Sequence, residues 1–236
     1  HHCSLWVAAD HVHVLMPATG GTVEEYTYNF YVDDTFQGRA PGRIAEVGCE
    51  GRQLDDGRFE IVQEIEWRGP PEWAAPEGRC VAVEQRVLAV TAGPTRHRID
   101  IASRLTARDW GLKLGPTRHA WFNFRVADSM IVDNGGTVRD DLGRQGGSAI
   151  SGEGARWVDF SGPVGGGRSA GVTMIAHPYQ DRAPFWFVAD WGVVSAGPFR
   201  SASVHLEQGD SFETRCTILV HDGGPDEDEI RRIVAE

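Results

Sequence analysis

Lysine is almost missing from this chain: Lys113 is the only one, and the other positive charges are arginines. A guanidinium stays protonated and forms no imine, so covalent catalysis through a lysine Schiff base is disfavoured, while its planar fork suits carboxylates and sugar hydroxyls. Long apolar runs are missing too. Nothing approaches the roughly 18–20 uninterrupted apolar residues of a membrane helix, and the run around Phe185 to Val188 is broken by Pro184 and Asp190. No membrane partner is expected. The four cysteines, Cys3, Cys49, Cys80 and Cys216, show no CxxC spacing, which argues against a zinc knuckle or a dithiol redox motif. A chain this long does not need covalent staples, so free buried thiols are expected rather than two disulfides. There is no GxSxG elbow, P-loop, GxGxxG or HExxH, which disfavours serine hydrolases of the familiar type, nucleoside triphosphatases and dinucleotide oxidoreductases.

Positive charge is in deficit overall. The formal net charge is −11, a field that repels phosphate backbones, so no nucleic-acid partner is expected. The 236 residues, 41% hydrophobic and 24% charged, fit one soluble globular domain over 1–236 with a buried core. A cytoplasmic location is favoured over a secreted one. The start at His1-His2 without a methionine reads as a trimmed, processed or tagged N-terminus.

Glycine is abundant at 29 and proline reaches 12. Between these breakers lie short runs with β-branched and aromatic residues at alternate positions. The clearest are 26–32, 59–67, 80–90, 97–106, 121–126, 171–176, 185–189 and 211–220. Eight or more such strands predict an all-β fold, a large antiparallel sandwich or barrel. Only 225–236 has helical spacing, with Pro225 and four acids at its start and Arg231-Arg232 further on, as the helix dipole prefers. The glycine-rich stretch between Ile131 and Gly167 reads as irregular loops. Exposed sheet edges make a homodimer plausible.

The densest titratable group is His1, His2, Asp10, His11 and His13. In an extended strand, His11 and His13 face the same way and Asp10 and Val12 the other, the spacing of a His-x-His pair for a divalent metal. A third ligand would have to come from elsewhere, and the plainer reading is two surface or turn histidines. His119, after Gly115-Pro116-Thr117-Arg118, and His177, before Pro178, stand at strand-to-loop boundaries that suit a general acid or base. Eight tryptophans are many for this length, and sugars pack their C–H faces on such rings. Trp121, Trp186 and Trp191 are the expected platforms. Arg125 and Glu153 would take hydroxyls, and Asp190, between two tryptophans, would orient or accept a proton.

Several segments read together resemble one bacterial family, the PmoA-like or DUF6807 proteins, also labelled methane oxygenase. The pieces are HHCSLWVAADHV at 1–12, GPTRHAWFNFRVADSM at 115–130, SGEGARWVDFSGPV at 151–164, HPYQDRAPFWFVADWGVVSAGPF at 177–199 and LVHDGG at 219–224. The resemblance implies a sandwich similar to galactose mutarotases and polysaccharide lyases, with a sugar-binding concave face and a functional link to a sugar oxidoreductase. It also implies that residues of a further N-terminal strand region precede His1. His1 and His2 fall on the family's paired histidines, His177-Pro178 on its His-Pro, and Trp186, Asp190 and Gly192 on its Trp-x-x-x-Asp-x-Gly segment. The chain departs at His119, where the family carries an acid, and at Phe187 and Ala189, where it carries His and Arg. The methane-oxygenase label would require membrane spans and copper, and this composition supplies no spans.

Together these features predict a carbohydrate-active enzyme that acts by proton transfer, as an epimerase, mutarotase or lyase. Its acid and base would come from His2, His119 and His177, with Asp190 beside them, and it would need no cofactor. The alternatives are a sugar-binding module without catalysis and an enzyme holding a divalent metal on His11 and His13.

Overall fold

The computed structural model describes residues 4–180 and 184–235. The alternating runs form three antiparallel-dominated sheets stacked as a sandwich. The largest has eight strands in the order Thr137–Asp140, Trp157–Gly165, Arg168–Ala176, Ser211–Asp222, Arg96–Ala107, Cys80–Ala92, Phe59–Arg68 and Arg43–Gln53. A four-stranded sheet runs Ser4–Ala9, Ala120–Arg125, Val193–Gly197 and Phe185–Ala189, and a five-stranded one is centred on Val12–Pro17 between Gly111–Leu114 and Val23–Asn29.

The period-two pattern explains which faces meet. Along Arg96–Ala107, Ile101, Ser103, Leu105 and Ala107 are buried while Arg104 between them is exposed, so one face packs inward and the other meets water. The inward faces converge on an aromatic cluster. Trp67 of the eight-stranded sheet stacks on Trp121 of the four-stranded sheet at 5.2 Å, and Phe212 meets Trp121 edge-on at 5.5 Å. Phe30 covers the other side of Trp67 at 4.9 Å. Such offset and T-shaped pairs add to the area they bury, and they tie two sheets and the chain following Val23–Asn29 into one core.

The expected terminal helix forms over Glu227–Val234. Asp226 caps it by accepting from the Asp228 and Glu229 amides at 3.1 Å, and Ile230 and Ile233 bury against Trp157, Ile175 and Leu219. Two expectations are corrected. The stretch read as irregular loops contains the strand Trp157–Gly165 and a single helical turn at Gly147–Ile150. Trp157, Val158 and Phe160 are buried there, so three core side chains outweigh the flanking glycines. Of the thiols, Cys80 and Cys216 are free and buried, but Cys49 is free and exposed. Among the described residues no helix is long and apolar enough to cross a membrane.

Candidate active site

Strand pairing places Trp6, Asn123, Ser195 and Phe187 in one row across the four-stranded sheet, because directly paired residues project to the same side. Two rings lie over this row. Tyr31 packs edge-on to Trp6 at 6.0 Å and donates from its hydroxyl to the Asn123 amide oxygen at 3.2 Å. His119 meets Phe187 edge-on at 5.2 Å and Tyr31 at 5.6 Å. Asn123 is held in turn by donating to the carbonyls of Trp121, at 2.7 Å, and Trp6, at 3.3 Å.

Asp10 organises the polar end. Its carboxylate lies 2.8 Å from His11 Nδ1 and 3.1 Å from His119 Nδ1, accepts from the Thr117 hydroxyl, and has Arg39 at 3.8 Å. The Asp10 amide donates to the His119 carbonyl at 3.3 Å, so the two segments are joined through backbone as well as side chain. Burial works to raise the Asp10 pKa. The hydrogen bonds from His119, His11 and Thr117 outweigh it and hold the group at about 2, below its ordinary 3.8. Asp10 is therefore ionised throughout the neutral range. For a carboxylate shifted down, the stabilisation is present above the unfolded-state pKa and is lost as pH falls through the folded value. A shift of this size contributes about 2 kcal/mol. Asp10→Asn is accordingly expected to be less stable than the parent by about that amount at pH 5, with the gap closing by pH 2; urea titrations at both pH values measure it, and a gap independent of pH would contradict the assignment.

The network also fixes the imidazole of His119. Nδ1 faces an ionised carboxylate and so carries the proton, and Nε2 accepts from Arg118 Nε at 3.1 Å. Arg118 lies over the Phe187 ring at 5.1 Å. Burial pushes the Tyr31 phenol up to about 12, so it remains a hydrogen-bond donor at neutral pH. Tyr31 also lines a cleft of about 730 Å³ with Trp6, Ala8, Asp33, Ile44 and Arg86. A second hollow of about 450 Å³ continues from it over Tyr31, Asp33 and Ile44 towards Arg43 and Pro71. Together the two hollows have room for a small molecule.

The sequence candidates separate. His119 stands in this group, while His2 lies outside the described residues. Trp121 and Trp186 are fully buried, Trp186 donating to the Ala155 carbonyl at 2.9 Å; neither offers a ring face to a ligand, because both fill the core. Asp190 is exposed and accepts from the Gly147 amide at 2.7 Å, fixing the helical turn there, while the carboxylate bonded to His119 is that of Asp10. Trp191 and Arg125 do meet, with the guanidinium 5.6 Å from the ring centre. They sit at the far end of Ala120–Arg125, roughly 17 Å from its start at the rise of an extended strand. Glu153 is exposed and pairs with Arg144 at 3.4 Å. His177 lines a separate narrow hollow with Trp121, Tyr179 and Arg215.

His11 and His13 do share a side, their rings 6.2 Å apart. The expected alternation fails one residue earlier, since the strand begins at Val12 and Asp10 sits in a bend from which its carboxylate reaches His11. His13 Nδ1 contacts Glu25 at 2.7 Å and the Thr27 hydroxyl at 2.9 Å. Among the described residues no group of three or more His, Cys, Asp or Glu is arranged to hold a metal ion. Sequence reasoning passed over the central role of Asp10 and the contributions of Tyr31, Asn123 and Arg118. The Asp10-His11 dipeptide and the Thr117-Arg118-His119 turn were the available signals.

A family model described as a family of unknown function, DUF6807, matches residues 1–235. No curated protein matches the chain by sequence. Among solved structures, it is similar to the galactosidase domain of the α-galactosidase–sucrose kinase AgaSK, at 9% identity and TM-score 0.45, covering 93% of this chain and 40% of that one. It is also similar to the GH36 α-galactosidase AgaA from Geobacillus stearothermophilus, at 13% identity and TM-score 0.46, covering 89% and 32%. A galactose mutarotase related enzyme from Lactobacillus acidophilus matches at 8% identity and TM-score 0.29, covering 91% and 96%. The chain thus spans less than half the length of the two galactosidases.

Proposed function

The chain belongs to DUF6807, a family of unknown function, and on the geometry of its own residues we propose that it is a carbohydrate-active enzyme that moves a proton on a sugar, as an epimerase, mutarotase or lyase does. The observation that carries this reading is the Asp10–His119 pair, a buried, ionised carboxylate bonded to Nδ1 of a part-exposed imidazole whose ring lies 5.6 Å from that of Tyr31, a residue that lines the cleft. With the Nδ1 proton shared with Asp10, Nε2 is the basic nitrogen and Asp10 is its positioning residue.

In the simplest step, a carbon next to a carbonyl gives its proton to Nε2, and the electron pair left behind collects on the carbonyl oxygen as an enolate. Arg118 occupies the Nε2 lone pair in the resting arrangement, so in this step it turns from Nε2 to the carbonyl oxygen, freeing the nitrogen for the proton and supplying the positive charge for the enolate. The resulting imidazolium, stabilised by Asp10, then returns a proton to the enolate. Trp6 and Phe187 supply apolar faces for the sugar ring, and the Tyr31 hydroxyl a donor to its oxygens. The test is incorporation of solvent deuterium into aldoses, ketoses and uronic acids, followed by proton NMR. Exchange or accelerated anomer interconversion is the expected result. Sugar binding without either would identify a binding module and overturn the proposal.

A further inference from the structure

Arg86 lines the same cleft, and its side chain is held by a closed set of partners although it stands outside the proton-transfer group. Glu84, two residues earlier on the strand Cys80–Ala92 and on the same face, has a side chain wholly shut off from solvent. It accepts from Trp67 Nε1 at 2.9 Å, from the Ser103 hydroxyl at 2.7 Å, and from Arg86 Nε and Nη2 at 2.9 Å each. The guanidinium is therefore clamped along one edge by a carboxylate that is itself locked from two other sides. Arg86 Nη1 has no protein partner among the described residues, and the side chain lines the cleft with Trp6, Tyr31, Asp33 and Asp34. A long arginine held in this way loses little rotamer freedom when a ligand binds, so its outward hydrogens are a prepaid donor edge.

The charge balance says what that edge takes. Glu84 already neutralises Arg86 at contact distance, and Arg43 and Glu77 in the adjoining hollow cancel each other at 3.1 Å. Asp33 and Asp34 line the cleft, are exposed, and pair with no cation among the described residues. The cleft is thus left negative in a chain that carries −11 overall. An anionic ligand would meet repulsion there, whereas neutral hydroxyls can accept from the guanidinium edge without a net charge to satisfy.

We propose that Arg86, anchored on Glu84, is a sugar-hydroxyl-binding residue and that this cleft selects neutral sugars over uronates. The inference rests on the carbohydrate reading above and names its substrate class. The probes are the methyl glycosides of glucose and galactose against the methyl glycosides of glucuronate and galacturonate, pairs that differ only in the oxidation state and charge of C6, titrated calorimetrically into the intact chain. The neutral sugars bind more tightly. Arg86→Gln weakens them by about tenfold or more, the loss of one hydrogen bond to a charged donor. Arg86→Lys retains the charge without the fork and gives only partial recovery. Because removing the arginine strands a buried carboxylate and endangers the fold, a second test uses exposed positions: the double variant Asp33→Asn, Asp34→Asn narrows the preference by raising uronate affinity severalfold. Uronates bound as tightly as their neutral partners by the parent protein, or neutral affinity untouched in a folded Arg86→Gln, overturns this inference and leaves the proton-transfer reading standing. If no sugar of either class binds and none exchanges deuterium, both fall together.

Discussion

Replacing Trp186 with alanine is expected to destabilise the protein by about 3–5 kcal/mol, the range for deleting a large aromatic from a packed core. Trp186 is fully buried, sits opposite Ala196 in the four-stranded sheet, and gives its indole hydrogen to the Ala155 carbonyl. The substitution would empty the largest side chain on that strand and leave the carbonyl without its donor. A tryptophan acting as a sugar platform behaves otherwise: its loss weakens binding and spares stability. Urea denaturation separates the two, and a loss below about 1 kcal/mol would contradict the packing described, since exposed substitutions fall in that range.

His119→Gln is expected to lower turnover by roughly 10²–10⁴-fold, the usual range for removing a general acid or base, with little change in sugar affinity. The ring makes its polar contacts to Asp10 and Arg118 at a part-exposed position, so the substitution does not open a cavity. Asp190→Asn, which alters a contact to the Gly147 amide away from the cleft, should leave turnover unchanged. Equal losses in both variants would mean that structural damage, not proton transfer, is being measured.

The sandwich itself was legible because its signals are local and repeated. Phe185–Ala189 formed with the predicted bounds, and the Cys80 and Ser211 strands began where alternation began and ran on by two residues. Pro225 with the acids behind it and Arg231-Arg232 further on announced the terminal helix. Trp157–Gly165 was hidden because its glycine-rich flanks mimic a loop, and what makes it a strand is burial of Trp157, Val158 and Phe160 against neighbours far along the chain. The site was harder to read for the same reason. His119 could be picked by its place at a strand start, but its partner Asp10 lies 109 positions away, and a break in the strand at Asp10 reversed the side expected for its carboxylate. Arg86 and Glu84 look like ordinary solvent-facing charges in sequence. Only the third dimension reveals that one of them is wholly enclosed. Trp121 and Trp186 lie in the core while Trp191 is exposed: a ring suited to sugars is equally suited to a core, and exposure alone distinguishes them.

The most direct test of the Asp10–His119 account is a side-by-side measurement of solvent-deuterium exchange into a bound sugar by the parent protein, His119→Gln and Asp10→Asn. The account predicts exchange by the parent, none above background with His119→Gln, and a reduced rate with Asp10→Asn at nearly unchanged affinity. Exchange or accelerated anomer interconversion that survives His119→Gln, or the absence of both with every sugar the parent protein binds, would contradict it.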